Sequence, residues 1–421
     1  MALFFASVGS AGGAFIGDGF ESIDFGGTDT PQGVAIRSGG KIVVAGSTTA
    51  GASASDFAVA RSKRSGNIDD SFAGDGRKTT DFRGSDEAFD VAIQPNGRIV
   101  VVGTTNADGH DDFALARYRK SGKLDDSFSG NGKAAPDFAR VAYGVAIQEN
   151  GRIVVAGGAK DDFALARYKR NGHLDDSFSG NGKTTADFGR DDGTTRIRRR
   201  KYDSAYDVAI QTNGKIVVVG TTQAHGNHDF ALARYGRNGH LDHSFAADGT
   251  RIVTFGGSET AEGVAIQKNG RIVAAGSRRP SNPIGAGFAV TRLKQCGGLD
   301  RSFGGDIYGA GKTVTQFRGG PATAFDLAIQ RTGRIVLVGE IGFGNRRDLE
   351  FDFALARYGQ KGHLDHSFSG NGKQVTRFGP ADDVAQDVAF QSRWKFIVAG
   401  VTGTTQDFLV ARYRNNGQLD D

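Results

Sequence analysis

One three-residue phrase, Val-Ala-Ile or a close variant, recurs seven times, beginning at Val34, Val91, Val145, Val208, Val264, Leu327 and Val388. The positions lie 57, 54, 63, 56, 63 and 61 residues apart, a period that marks tandem copies of one supersecondary unit rather than a series of unrelated domains. The sixth copy reads Leu-Ala-Ile and the seventh Val-Ala-Phe, and both changes keep the position apolar. A chain of 421 residues, long enough for two or three ordinary domains, is therefore read as one repeat array.

Each unit holds four segments of strand length, DVAIQ-like, GRIVVVG-like, DFALARY-like and GKTTADF-like, separated by Gly, Asn, Asp and Ser. Between the first two segments stand Asn96-Gly97, Asn150-Gly151, Asn213-Gly214 and Asn269-Gly270, pairs that accept the positive φ of a tight hairpin and make the two strands antiparallel neighbours. Within the third segment Phe163 and Leu165 point to one face and Ala164 and Ala166 to the other, so each sheet has a bulky and a flat side. Four short strands per repeat, stacked bulky against flat about an axis, make an all-β, seven-bladed β-propeller of four-stranded antiparallel blades. The chain ends at GQLDD, where other repeats go on to a fourth strand, and it begins with that missing piece. The segment from Phe20 to Phe25 is expected to pair with the last blade and close the ring, leaving an apolar N-terminal arm over 1–14 and a single propeller domain over 15–421.

Composition agrees and excludes little else. With 64 Gly, seven Pro and 38% apolar residues the chain is rich in turns yet has enough apolar matter for a core. Lys and Arg number 52 against 47 Asp and Glu, too small an excess over this length to mark a nucleic-acid binder. The single cysteine, Cys296, excludes an internal disulfide framework and a multi-cysteine zinc site. No apolar run approaches the roughly 18 residues of a membrane-spanning helix, and the short run from Ala2 to Val8 lacks the basic residues that precede a secretory core.

The phrases DFALARYKRNGHLDDSFSGNGKTTADF and YDVAIQTNGKIVVVG resemble the delta-60 repeat, a bacterial propeller repeat found largely in secreted or surface proteins, and the resemblance runs from Phe15 to the end. It implies the propeller fold and an extracellular or cell-surface place. It carries over no catalytic signature, and fold alone assigns no function.

The repeats supply an internal control: a residue found in every blade serves the blade, and one found in a single blade is free for something else. Arg61, Arg117, Arg167, Arg234, Arg292, Arg357 and Arg412 close the third strand in all seven units, each followed by Asp69, Asp125, Asp175, Asp242, Asp300, Asp365 or Asp420, and are read as structural ion pairs. The SFSGNGK segments, such as Ser177 to Lys183, lack the alternating oxygen ligands of a calcium loop and are read as turns. His240 with His243, and His363 with His366, fall at variable loop positions and are read as surface residues.

Length variation concentrates in the connections between strands two and three and between successive blades, which share one face of the disc, so binding is expected there. Three of these loops gather cations: Arg196, Arg198, Arg199, Arg200 and Lys201; Arg278 and Arg279; Arg346 and Arg347. They form either a basic patch for an anionic glycan or acidic protein surface, or ordinary solvated loop charge. Aromatic residues for base stacking are sparse in these loops, which ranks nucleic acid low. At the channel, the residue before the repeated phrase is Asp90, Asp207, Asp326 or Asp387 in four blades and Gly in three; the carboxylates either hold a cation or cap nearby amides. No HExxH or GxSxG sequence is present. The expectation is therefore a non-enzymatic scaffold without a cofactor, acting in self-assembly through Leu3, Phe4, Phe5 and Val8 of the arm or in surface interaction. A lectin-like propeller is the alternative, and an enzyme with an axial site the third reading.

Overall fold

The computed structural model describes residues 18–50, 54–189, 202–280, 285–305, 307–345, 348–403 and 406–420. Seven four-stranded antiparallel sheets follow one another along the chain. Blade 1 runs Asp29–Ile36, Ile42–Thr48, Asp56–Ser62 and Arg77–Thr80, and blades 2 to 6 repeat that order. Blade 7 takes three strands from the C-terminal end and its outermost from Phe20–Ile23, which pairs with Asp407–Arg414 in the register Phe20 to Ala411 and Ile23 to Phe408. The first and last strands thus close the ring as expected, completing the four strands of blade 7.

The hairpin joining the first two strands is built more economically than the Asn-Gly pair suggested. Only the glycine is left-handed, Gly97 at φ 80°, while the Asn96 side chain accepts the Arg98 amide at 3.0 Å and the Gly97 amide closes on the Gln94 carbonyl at 2.7 Å. The SFSGNGK segments are turns, with Ser179 at φ 52° and Gly180 and Gly182 also left-handed.

Blades pack bulky face on flat face. Phe163 and Leu165 of blade 3 lie in one cluster with Ala231 and Ala233 of blade 4, together with Val154, Val208 and Val218. All are closed to solvent or nearly so, and burying each large side chain contributes about 1.5–3 kcal/mol.

The conserved Arg and Asp residues form the seven pairs read from the sequence, for example Arg61–Asp69 at 2.7 Å and Arg167–Asp175 at 2.8 Å. They do more than pin a hairpin. The guanidinium of each Arg also donates to a backbone carbonyl of the following blade: Arg117 to Arg170, Arg167 to Arg237, and, across the closure, Arg412 to Arg64. A second cation from the start of strand two joins the same carboxylate, Lys41 on Asp69 at 2.6 Å and Arg152 on Asp175 at 2.6 Å. Burial alone would raise the Asp175 carboxyl, but hydrogen bonds from Ser177 and the charges of Arg167 and Arg152 outweigh it and hold it below the usual range. This face, carrying the one-to-two and three-to-four turns, is the interblade fastening of the ring.

Candidate functional site

On the opposite face the innermost strands break their own regularity. In all seven blades the register to strand two slips by one residue just before the repeated phrase, between Ala88 and Asp90 in blade 2 and between Ala142 and Gly144 in blade 3. A β-bulge re-aims the extra side chain and leaves it outside the ladder. The seven bulged residues, one per blade, are Gln32, Phe89, Tyr143, Tyr206, Glu262, Phe325 and Gln386, all half-buried at the inner edge of their blades.

These positions differ from blade to blade while their neighbours repeat, the signature of freedom from the scaffold. Phe89, Tyr143 and Tyr206 touch in sequence across three blades, with ring centroids 5.0 and 5.1 Å apart. Burial, with neighbouring Tyr202 and Glu262, pushes the Tyr143 phenol up to about 12. Glu262 is pushed up to about 7 by burial, opposed by Arg279. Arg279 also faces Glu340, likewise raised to about 7 by burial, and its Nη2 donates to the Thr323 hydroxyl at 3.3 Å. The loop-face mouth of the channel therefore combines three aromatic rings in tilted contact with two amide side chains, two carboxyl groups near neutrality and one cation.

One residue further in lie the four aspartates singled out from the sequence. Each joins two blades: Asp90 Oδ2 accepts the Val145 amide at 2.7 Å while Oδ1 accepts that of Val91 at 2.6 Å, and Asp207 does the same for Val264 and Val208. Asp387 reaches Val34 across the closure, and Asp326 reaches Val388. The glycines of the other blades have a steric reason. A Cβ on Gly33 would stand 2.9 Å from Asp90 Cα, and one on Gly144 would stand 2.9 Å from Asp207 Cα. Glycine and aspartate alternate for that reason, but seven is odd, so Asp326 and Asp387 are forced to be neighbours. Burial and the adjacent Asp387 carboxylate push Asp326 well above the usual range, and the two share a hydrogen bond. The aspartates thus act as amide caps between innermost strands. Among the described residues, no three of them converge on a common ligand position.

The basic loops fare unevenly. Arg278 is spent within its own chain, donating to the carbonyls of Phe255, Gly285 and Gly256 at 3.0–3.1 Å with its guanidinium over the Tyr308 ring. Arg279 belongs to the channel mouth. Arg196, Arg198, Arg199, Arg200, Lys201, Arg346 and Arg347 lie outside the described residues, as do Leu3, Phe4, Phe5 and Val8 of the arm. Cys296 is free and exposed on the turn face. The bulged ring was not singled out from the sequence; the signal that could have found it is the variable residue two places before each repeated phrase.

Fold and site together define a seven-bladed β-propeller made from one duplicated unit. Residues 38–72, 94–128, 148–178 and 211–245 match the family model described as Domain of unknown function (DUF5122) beta-propeller, so these four stretches carry the repeat of that family. No curated protein matches the sequence. Among solved structures the chain is similar to virginiamycin B lyase from Staphylococcus aureus, at 10% identity and TM-score 0.48 over 93% of this chain and 99% of that one. It is similar also to Sqt1 from Chaetomium thermophilum, at 10% identity and TM-score 0.45 over 92% and 96%, and to the gluconolactonase XC5397 from Xanthomonas campestris, at 12% and 0.40 over 81% and 91%. Among the described residues no helix is long and apolar enough to cross a membrane.

Proposed function

We propose that the protein is a surface interaction module without chemistry of its own, and that its ligand is a carbohydrate taken at the loop-face mouth of the channel. The observation that carries this reading is the run of Phe89, Tyr143 and Tyr206 on three consecutive bulges, beside Gln32, Gln386 and Glu262. Sugar rings offer apolar C–H faces that lie on aromatic rings and a rim of hydroxyls that amides and carboxylates hydrogen-bond. The carboxyl groups of Glu262, Glu340 and the aspartate ring disfavour an anionic ligand here, and Arg278 is already engaged, so a neutral oligosaccharide fits better than the acidic one the basic loops suggested.

The test is binding of a panel of neutral and acidic oligosaccharides to the full chain, repeated with Tyr143→Ala. A neutral glycan whose affinity falls at least about tenfold in the variant supports the reading. Absence of binding across the panel, or binding that Tyr143→Ala leaves unchanged, overturns it.

Glu262, a carboxyl near neutrality beside the Tyr206 ring, favours a second reading in which the mouth transfers protons to and from a bound sugar. Turnover of a bound oligosaccharide that Glu262→Gln abolishes without weakening binding would establish it. The assembly reading rests on the arm at 1–14 and is tested by light scattering: particles far above 44 kDa that dissolve on deletion of that arm would support it. An extracellular place accords with all three readings.

A further inference from the structure

On the turn face, the residue three places after each strand-three arginine has two separate jobs. Its carbonyl accepts the guanidinium of the preceding blade, and its side chain lies across the one-to-two hairpin of its own blade. In blades 5 and 6 a neutral amide does the second: Gln295 Nε2 donates to the Asn269 carbonyl at 2.9 Å and Gln360 Nε2 to that of Thr332 at 2.7 Å. In blades 3 and 4 arginine makes the same bond through Nε alone, Arg170 to Asn150 at 2.5 Å and Arg237 to Asn213 at 2.6 Å. One donor satisfies the scaffold, so the charge and the Nη fork of these arginines are surplus to it.

Blades 1 and 2 carry Arg64 and Lys120 at the same position, over Gly40 and Gly97, and blade 7 carries Asn415. All four cations are exposed and, among the described residues, none forms an ion pair. They make a row, one per blade, over four consecutive blades, and it stops where the amides begin. Another cation joins from the hub. The residue after the repeated phrase is Gln in six blades and Arg37 in blade 1. Gln94 Nε2 reaches the Gly151 carbonyl of the next blade at 3.2 Å; Arg37 Nη2 likewise crosses to blade 2, 2.9 Å from where a Cβ on Gly97 would stand, with Lys120 Cε 2.7 Å from the same point. Burial and the like charge of Arg61 lower Arg37, opposed only by Asp69, which already holds Lys41 and Arg61.

Beside the row the turn face opens into clefts of about 370 Å³ between blades 2 and 3 and about 820 Å³ between blades 3 and 4. Arg98, Arg117 and Arg170 line the first and Arg152, Arg167 and Arg237 the second, and Glu149 is the one carboxylate lining either. Each cleft is also lined by an amide more than nine-tenths buried, Gln94 in the first and Gln148 and Gln211 in the second, whose Oε1 has no hydrogen-bond partner in the protein. Such an oxygen is suited to accept an O–H from a ligand. Gln267 and Gln330 share the free oxygen, so the hydroxyl acceptor continues around the ring while the surplus charge is confined to blades 1 to 4.

We propose that the turn face over blades 1 to 4 binds an acidic polysaccharide, a chain with a carboxylate on each sugar and hydroxyls beside it. The guanidinium forks pair with carboxylates, and the buried amides accept hydroxyls. A single exposed ion pair is weak, but a chain laid along the row makes one contact per blade and gains by their linkage. Nucleic acid fits less well: among the described residues the one Phe, Tyr or Trp exposed on this face is Trp394, in blade 7, outside the row and with Arg393 over its ring. The site lies on the opposite face from the channel mouth, and either can fail without the other.

The experiment is binding of polygalacturonate to the full chain at about 50 and about 200 mM NaCl, with poly(dT) as a polyanion that lacks sugar carboxylates. Saturable binding of polygalacturonate, weaker at the higher salt, is expected. Arg170→Gln combined with Arg237→Gln copies Gln295 and Gln360, so it should keep the wild-type melting temperature and lower affinity at least about tenfold. Arg64→Gln combined with Lys120→Gln serves the same purpose if the first pair does not fold. Glu149→Gln removes the opposing charge and should tighten binding, and Tyr143→Ala, at the channel mouth, should leave it unchanged. The proposal is overturned if polygalacturonate does not bind at the lower salt or if both double variants bind it as the wild type does. It is overturned equally if poly(dT) binds as tightly, which would make the face a general polyanion or nucleic-acid surface.

Discussion

Aspartate does opposite things on the two faces of this ring. On the turn face Asp175 stands between Arg167 and Arg152 with Ser177 on its other oxygen, its neutralising charges encoded in the same repeat. On the loop face Asp187, twelve residues later, has as its close neighbours two further carboxylates, Asp162 and Asp203. The first arrangement is complete within the chain: the two cations recur in all seven units, and the Ser in six, with Arg414 in its place on Asp420. The second is not held to one pattern: the corresponding positions are Asp352, Arg377 and Asp383 between blades 6 and 7, and Gly287, Gln316 and Ala322 between blades 5 and 6. A ring can diverge only where its repeats do not hold each other together, and this separates the positions that fasten the propeller from those free to acquire function.

The largest effect that tests this contrast is the loss of one fastening. Asp175→Ala leaves Arg167, 4% exposed, and its link to the next blade without a counter-charge, and breaking a buried pair from one side costs about 3–5 kcal/mol. Asp187→Ala should change stability by less than about 0.5 kcal/mol or raise it, because it relieves like-charge repulsion at an exposed position. Urea unfolding midpoints of the two variants decide the matter; equal losses would erase the distinction between the faces.

Most of the fold was legible because its determinants are local and repeated. The glycine turns, the alternation in Phe163-Ala164-Leu165-Ala166 and the Arg to Asp spacing each need only a few consecutive residues, and seven copies separate signal from chance. Partners of the same Arg in the next blade were not legible, since Arg170 or Arg237 is reached only after two blades stack. Nor were the loop-face trios, whose members come from three separate segments of the chain. Lys41, Arg98, Arg152 and their counterparts could have been found, as each stands before the Ile or Phe that opens strand two in every unit. The channel aspartates were seen, but their alternation with glycine has meaning only once the ring is closed and its odd number forces Asp326 against Asp387.

That alternation gives the next effect in size. Gly144→Ala would set a Cβ 2.9 Å from both Asp207 Cα and the Tyr206 carbonyl oxygen, backbone atoms of the neighbouring blade that cannot swing aside. Overpacking of this kind costs about 1–3 kcal/mol. The same change at Gly130, whose Cβ would meet nothing within 4 Å, loses only the strain of φ 84°, so a double comparison of melting temperatures separates contact from conformation.

The smallest effect is one of pH, and it runs in opposite directions at the fastening and in the channel. Asp175 is held below its ordinary value, so its contribution to stability is present above the unfolded value of about 3.9 and fades as pH falls below it. Asp207 is pushed up by burial to about 7, against the two amides it caps. A folded value above the unfolded one means that its contribution is complete below about pH 4 and is lost as pH rises toward 7. Asp207→Asn removes that loss whatever the variant costs in hydrogen bonding, because the cost is the same at every pH. Its melting temperature relative to wild type should therefore climb between pH 4.5 and pH 8. The corresponding difference for Asp175→Asn should stay flat over that range and narrow only in acid. Parallel profiles for the two variants would mean that channel water solvates Asp207 as fully as an exposed carboxylate, and that the channel wall is not the low-dielectric surface its neighbours Val208 and Val264 make it.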